Sequence, residues 1–343
     1  MTAWYRKLVI VFLTIVTSSA SRIDDLVRRW SPLIWLAPGE RFMPDSIEDF
    51  LPHTQPGDFY GKMMPEQNII GGDNSTKLYL HTVNDIVLDE LLSNASNSFL
   101  YGKDPSKVPV PVYALVTKCH EKIFHVTYWL FFPYSLGKEF CVLGNIPLPH
   151  VFSTCLGTKM LLGSHVGDYE HLSMSFDGNS SYPAQIYLGT HESGVYYTLN
   201  RKTRSFVYSE QIKRKFLAPK PLFPNEIRIK KKRIEVFASL GSHGLWAEPG
   251  NHSYHRFLGI EDISGYGTPW STWQDLRIYH VDRDVDKFKR EANVERGLPK
   301  WMFYEGKWGN PRSNCLIWRY FCGITDGPPG MLRSVKDFYC DKM

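Results

Sequence analysis

The chain has 343 residues, of which 43% are hydrophobic, 14% aromatic and 22% charged, and its formal net charge is +5. That much apolar material builds a sizeable core and excludes a disordered polymer, and the length fits one large domain or two small ones. The small net charge is unevenly spread, so its location says more than its size.

At the N-terminus, Arg6 and Lys7 precede an apolar run from Leu8 to Val16, and the small residues Ser18, Ser19 and Ala20 follow. This is the order of a secretory signal peptide, with an apolar run too short to span a bilayer. Residues 1–20 are therefore expected to be removed, leaving 21–343 as a single β-rich domain. No later segment stays apolar over a spanning length, since "YWLFFPYSL" is interrupted by Pro133, so no transmembrane span is expected. Six cysteines (Cys119, Cys141, Cys155, Cys315, Cys322, Cys340) and sequons at Asn74, Asn94, Asn179 and Asn251 agree with an extracellular or secretory or vacuolar luminal location. The cysteines fall into two groups of three, so bonds are expected within each group, with at least one bond joining them if all six pair.

Ile23 to Trp30 reads as a short amphipathic helix, followed by Pro-marked turns through "SPLIWLAPGERFMPDSIEDFLPH"; a second helical segment is expected over Asp85 to Leu92. The N-terminal segment, about 21–105, is thus read as helical. From about 109 to 335 the pattern is that of strands. "VYALVTK", "IFHVTYWLFFPY", "HLSMSF", "AQIYLGT", "GVYYTL", "SFVYS", "RIEVFASLG" and "LRIYHV" are rich in β-branched and aromatic residues and are separated by Gly, Pro, Asn or Asp. Without regularly alternating long helices, they predict a mainly β protein, an antiparallel β-sandwich with short helical decorations.

Between Arg201 and Arg233 lie twelve Lys or Arg against Glu210 and Glu226. As an ordinary solvated edge, such charge discourages sheet aggregation. As a site, it would take an anionic glycan or lipid head group, nucleic acid being disfavoured.

One tetrapeptide recurs: Leu162-Gly163-Ser164-His165, Leu188-Gly189-Thr190-His191 and Leu240-Gly241-Ser242-His243. Each copy delivers an imidazole beside a glycine, two of them directly after a strand. The first copy continues into Asp168-Tyr169-Glu170-His171. In a strand beginning at Asp168, alternation puts Asp168 and Glu170 on the face of Leu172, Met174 and Phe176, with His171 on the other. Two adjacent carboxylates facing a core need a cation between them. A divalent ion held by His165, Asp168, Glu170, His191 and His243 would supply it, Zn²⁺, Mn²⁺ or Mg²⁺ being favoured over Ca²⁺. His171, His252 and Ser242 then stand as second-layer or ligand-contacting groups. An arginine or lysine pairing with the carboxylates is the structural alternative.

At these residues the chain resembles the vacuolar protein sorting-associated protein 62-like family. The likeness is an ordered series: "RRWSPLIWLAPGERFMPDSIEDFL", "VTYWLFFPYS", "HVGDYEHLSMSF" with Tyr169 where the family has Trp, "YLGTHESG", "FASLGSHGLWAEPGNHSYHRF", "GYGTPWSTW", "YEGKWGN" and "DGPPG". The resemblance implies a role connected with vacuolar sorting and no defined chemistry. A shorter likeness, of His165, Asp168 and Glu170 to the H-x-x-D-x-E positions of the necrosis-inducing cytolysins, implies a divalent ion in a β-sandwich that docks on glycosylated lipids. Three functions remain open on these residues: a metal-dependent binder of a polar or anionic ligand, a metal-dependent hydrolase with His171 or His252 as base, and a luminal sorting or structural protein without catalysis. No G-x-S-x-G, P-loop or H-E-x-x-H motif names an enzyme class.

Overall fold

A computed structural model describes residues 22–64, 77–83, 93, 98–119, 123–148, 154–177, 180–213, 221–230, 233–255, 260–281, 298–316 and 321–332. The first element is the expected helix, over residues 22–30; Ile23, Leu26, Val27 and Trp30 recur at helical spacing and all enter the core. The second expected helix, Asp85 to Leu92, and the expected signal peptide lie outside the described residues.

All eight expected strands form, and the protein is mainly β. Seven strands make one layer in the order Ser205–Lys213, Ser193–Asn200, Gln185–Thr190, His165–Asp177, Ile123–Ser135, Val112–Lys118, Leu276–Val281. Glu226–Lys230 pairs with the first of these and leads through the Ile229↔Ile234 pair into Arg233–Ala238. That strand continues the sheet into Leu33–Leu36 and Pro269–Ser271, with Leu245–Trp246 on its other side.

The path folds over so that its ends meet. Trp270, on the terminal strand, packs edge-on against Phe132 in the middle of the seven, and its indole N–H donates to the Val110 carbonyl at 3.2 Å. Ile34, Leu36, Val236 and Trp270 from one layer share a core with Val126, Phe132, Leu172 and Met174 from the other, giving a sandwich-like arrangement. The opposite face of the seven-stranded layer is covered as well: Tyr113, Trp129, Phe131 and Tyr169 pack with Ile47, Phe50, Trp301 and Trp308.

Two features depart from the simple reading. Leu33–Leu36 runs parallel to Arg233–Ala238, and Leu276–Val281 parallel to Val112–Lys118, whereas the other strand pairs of this sheet are antiparallel. Both parallel pairs join segments far apart in the chain, which a hairpin cannot connect. The N-terminal segment read as helical also supplies strands, Leu33–Leu36 to the main sheet and the Thr54–Gly57 and Tyr79–Thr82 pair beside it. No helix among the described residues is long and apolar enough to cross a membrane.

Candidate functional site

The strand carrying the carboxylates starts at His165, three residues earlier than alternation predicts, and pairs with Ile123–Ser135 through Ser135↔His165 and Phe132↔Asp168. Gly167 therefore lies within the strand. Residues three apart in a regular strand face opposite sides; the left-handed backbone of Gly167 (φ +67°) lets His165 Nε2 approach Asp168 Oδ1 to 3.8 Å, while His165 Nδ1 donates to the Gly167 carbonyl at 2.9 Å. A side chain at 167 would strike the Trp308 carbonyl, since a Cβ there would stand 2.8 Å from it. The predicted faces hold: Leu172, Met174 and Phe176 enter the core between the layers, and Asp168 and Glu170 are buried at 6% and 8% exposure. His171 points the other way, against Trp129 and Tyr187.

The three recurring tetrapeptides do not share one geometry. Gly163 and Gly241 take left-handed conformations but Gly189 sits in a strand opposite Gly194; in the second and third copies the histidine itself is left-handed, His191 at φ +50° and His243 at φ +58°. Such a backbone is costly for a residue with a Cβ and persists only where its surroundings fix it. Around His243 they do. The loop closes on itself, with His243 N–H donating to the Ser239 carbonyl and Ser239 N–H to Gly244, and Leu136 N–H donates to the Gly241 carbonyl from the neighbouring layer.

His243 is fully buried and stacks face to face on Phe132, with ring centroids 3.8 Å apart. Its Nδ1 lies 3.3 Å from Asp168 Oδ2, and its Nε2 lies 3.0 Å from the Phe42 carbonyl and 3.7 Å from Glu40 Oε2. A carbonyl and an ionised carboxylate only accept, so both ring nitrogens carry hydrogen and the ring is an imidazolium. Burial by itself would lower the pKa of His243; hydrogen bonds and charge attraction from Asp168 and Glu40 outweigh it and push the pKa up to about 9. The effect is reciprocal. Burial favours protonation of Asp168, but the imidazoles of His165 and His243 hold it below the ordinary carboxylate range; Glu40 is likewise held low against its burial by His243 and by the Gly241 and Phe42 amides. The Glu40 carboxylate accepts from the Arg41, Phe42 and Gly241 N–H groups at 2.9, 2.8 and 2.6 Å, tying the N-terminal segment to the His243 loop.

A second centre adjoins the first. Asp262, wholly buried, accepts from His191 Nε2 at 2.7 Å, Lys138 Nζ at 2.7 Å, Ser242 Oγ at 3.1 Å and Trp246 Nε1 at 3.1 Å. Burial alone would raise its pKa; His191 and Lys138 together drive it far below the usual range. Ser242 also meets Ser239 Oγ at 3.0 Å, so the His243 loop touches both centres.

The chain itself thus places an imidazolium, His243, between Asp168 and Glu40. Both ring nitrogens of His243 face acceptors of the chain, Asp168 on one side and the Phe42 carbonyl on the other. His191 is directed to Asp262, and among the described residues no three His, Cys, Asp or Glu side chains converge as a metal-binding group. His252 stacks on Trp246 with centroids 4.0 Å apart and bonds Ser264 Oγ and the Glu248 carbonyl. Glu40, Lys138 and Asp262 were not singled out from the sequence. Asp262 alternates with Ile260 and Ser264 on the buried face of its strand while Ile263 is 47% exposed, so hydrophobicity along "IEDIS" does not reveal the face. Glu40 follows the Pro38-Gly39 turn and meets His243 across 203 positions, which no local pattern signals.

Of the basic segment, Arg201, Lys202 and Arg204 stand exposed at a turn, Lys230 pairs with Glu235 at 3.4 Å, and Arg233 turns inward to the backbone of the 22–30 helix. Disulfides join Cys141 to Cys155 and Cys315 to Cys322, each within its expected group; Cys119 is also disulfide-bonded, to a residue outside those described. Asn251 is exposed, and the sequons at Asn74, Asn94 and Asn179 lie outside the described residues.

Fold and site together define a mainly β, disulfide-bonded protein whose sheet ends are joined by a buried histidine–carboxylate network. The chain is 24% identical over 326 residues to vacuolar protein sorting-associated protein 62 of Saccharomyces cerevisiae, covering 88% of this chain and 64% of that protein. It is 22% identical over 358 residues to a second protein of that yeast, TDA6, also named for vacuolar sorting, covering 92% of this chain and 67% of the relative. The chain therefore spans about two thirds of the length of the curated relatives it matches. These matches support assignment to the vacuolar protein sorting-associated protein 62-like family. No family model matches the chain, and no solved structure matches it.

Proposed function

We propose that this chain is a luminal protein of the secretory or vacuolar route that acts in vacuolar sorting without catalysis, and that its histidine–carboxylate network is an acid-tolerant structural joint. The observation that carries this reading is the Glu40–His243–Asp168 arrangement, in which an imidazolium lies between two buried carboxylates. A histidine titrating near its ordinary pKa of 6.5 would change charge between a neutral and an acidic compartment. His243 does not, because its pKa lies near 9 while its partners are held low, so the joint keeps its charges across the luminal range. The disulfides suit an oxidising compartment, and the relatives' names supply the sorting role.

Two measurements test it. Expression of this chain in yeast lacking both relatives is expected to change the partition of vacuolar cargo between vacuole and medium; an unchanged partition argues against a shared sorting role. Elemental analysis of the purified protein is expected to find no stoichiometric divalent metal, with a melting temperature indifferent to chelator. A bound ion whose removal lowers melting would instead favour a ligand set drawn from His165, Asp168, Glu170 and His191, and with it the binding and hydrolase readings.

A further inference from the structure

We propose that Asn251 carries an N-linked glycan that lies in the adjoining surface cleft, an inference resting on the luminal reading above. Asn251-His252-Ser253 is a sequon on the Gly250–His255 strand, which pairs with Ile260–Ser264 through Asn251↔Ile263, His252↔Asp262 and Ser253↔Glu261. Side chains directly opposite share a face, so the hairpin divides cleanly. His252 and Asp262 face inward, onto Trp246. Asn251, Ser253, Glu261 and Ile263 face outward.

The outward face suits a saccharide. Asn251 is exposed, and its amide makes no side-chain hydrogen bond among the described residues. Beside it, at the edge of the hairpin where both faces meet, opens a cleft of about 520 Å³ whose lining includes Leu222, Phe223, Asn225, Glu248, Asn251 itself and the inward His252. Leu222, in the cleft, is 62% exposed, a large aliphatic group left in water; Ile263, opposite Asn251 and outside the cleft lining, is 47% exposed. The C–H faces and N-acetyl methyl of the first sugar would cover this apolar surface, while its hydroxyls find the Glu248 carboxylate and Asn225 amide at the cleft wall. The modification is made before the chain folds. The Asn251 Nδ2 attacks C1 of an oligosaccharide carried on a lipid diphosphate; the new N–C1 bond replaces the C1–O bond, the lipid diphosphate leaves, and Nδ2 loses one proton. The folded hairpin accommodates the product because nothing on its inner face depends on the Asn251 side chain. The glycan then stands on the outside of the hairpin whose inner face holds Asp262, His252 and Tyr254, the last packed on His191, and so screens the network from macromolecular partners.

The test is glycopeptide mass spectrometry of the full-length protein secreted by a eukaryotic host, before and after peptide N-glycosidase in heavy-oxygen water. The expected result is enzymatic conversion of Asn251 to a labelled aspartate, lost in both Asn251→Gln and Ser253→Ala, and a glycan at 251 that resists the glycosidase in the native protein but not after denaturation. An unmodified Asn251 in protein occupied at Asn74, Asn94 or Asn179 overturns the proposal while leaving the luminal reading intact. Absence of glycan from all four sequons removes the luminal reading, and this proposal with it. Equal release from native and denatured protein refutes the seating in the cleft.

Discussion

Replacing His243 by glutamine removes a positive charge at 0% exposure from between Asp168 and Glu40, themselves 6% and 8% exposed. Neither carboxylate can be rehydrated without opening the loop, so the loss resembles the breaking of a buried ion pair, about 3–5 kcal/mol. The pKa gives an independent measure: moving it from 6.5 to about 9 corresponds to about 3 kcal/mol of stabilisation. The sign follows from linkage. A raised histidine pKa contributes stability that is complete below pH 6.5 and is lost as pH rises through about 9. The lowered carboxylates contribute in the opposite sense: their share is present above the ordinary carboxylate range and is lost only as pH falls through their depressed values. Urea denaturation from acid to alkaline pH should therefore show a stability plateau for the native protein through the mildly acidic range and a decline towards pH 9. His243→Gln should lie lower by about 3 kcal/mol at pH 7. The deficit should shrink below about pH 5, where carboxylates without a cation take up protons in compensation. A native profile flat from pH 6 to 10, or a variant within about 0.5 kcal/mol of the native protein at pH 7, the range of ordinary surface substitutions, would refute the reasoning.

Asp262→Asn should cost about 3–5 kcal/mol in the same denaturation assay, because it strands Lys138 and His191 beside a neutral amide, while the neighbouring exposed Glu261→Gln should stay within about 0.5 kcal/mol. Gly167→Ala should destabilise by more than about 1 kcal/mol, since the left-handed φ and the Trp308 carbonyl at 2.8 Å both oppose a Cβ. Arg233→Ala should loosen the 22–30 helix: the guanidinium donates to the Arg28, Arg29 and Ser31 carbonyls and lies 4.0 Å from the Trp273 ring centroid. Faster amide exchange confined to about residues 22–31 is the expected readout, and unchanged exchange there would contradict the assignment.

Strand positions and the direction of the central faces were legible because they are local. "HVGDYEHLSMSF" states by alternation which side chains face Leu172 and Met174, and the structure keeps that division, with His171 on the far side. That buried Asp168 calls for a positively charged neighbour was legible, since a carboxylate on an apolar face is costly, and His243 lies 3.3 Å from it. That His243 also meets Glu40 was not. Whether a histidine is a neutral ligand or an imidazolium depends on what lies beyond its second nitrogen, and for His243 that is the Phe42 carbonyl and Glu40, far off in sequence. The parallel pairing of Leu33–Leu36 was equally unreadable, because nothing in four residues specifies which distant strand they join. The three recurring tetrapeptides share a sequence but not a geometry: His191 and His243 use left-handed backbones of their own, whereas His165 relies on glycines at 163 and 167.

The most direct test of the network is the protonation state of one ring. Nitrogen NMR of the imidazoles, with His243 assigned by its loss in His243→Gln, should show both ring nitrogens protonated at pH 7 and a titration near pH 9, unaffected by chelator. A single neutral tautomer at pH 7, or a signal that shifts when chelator is added, would contradict the account.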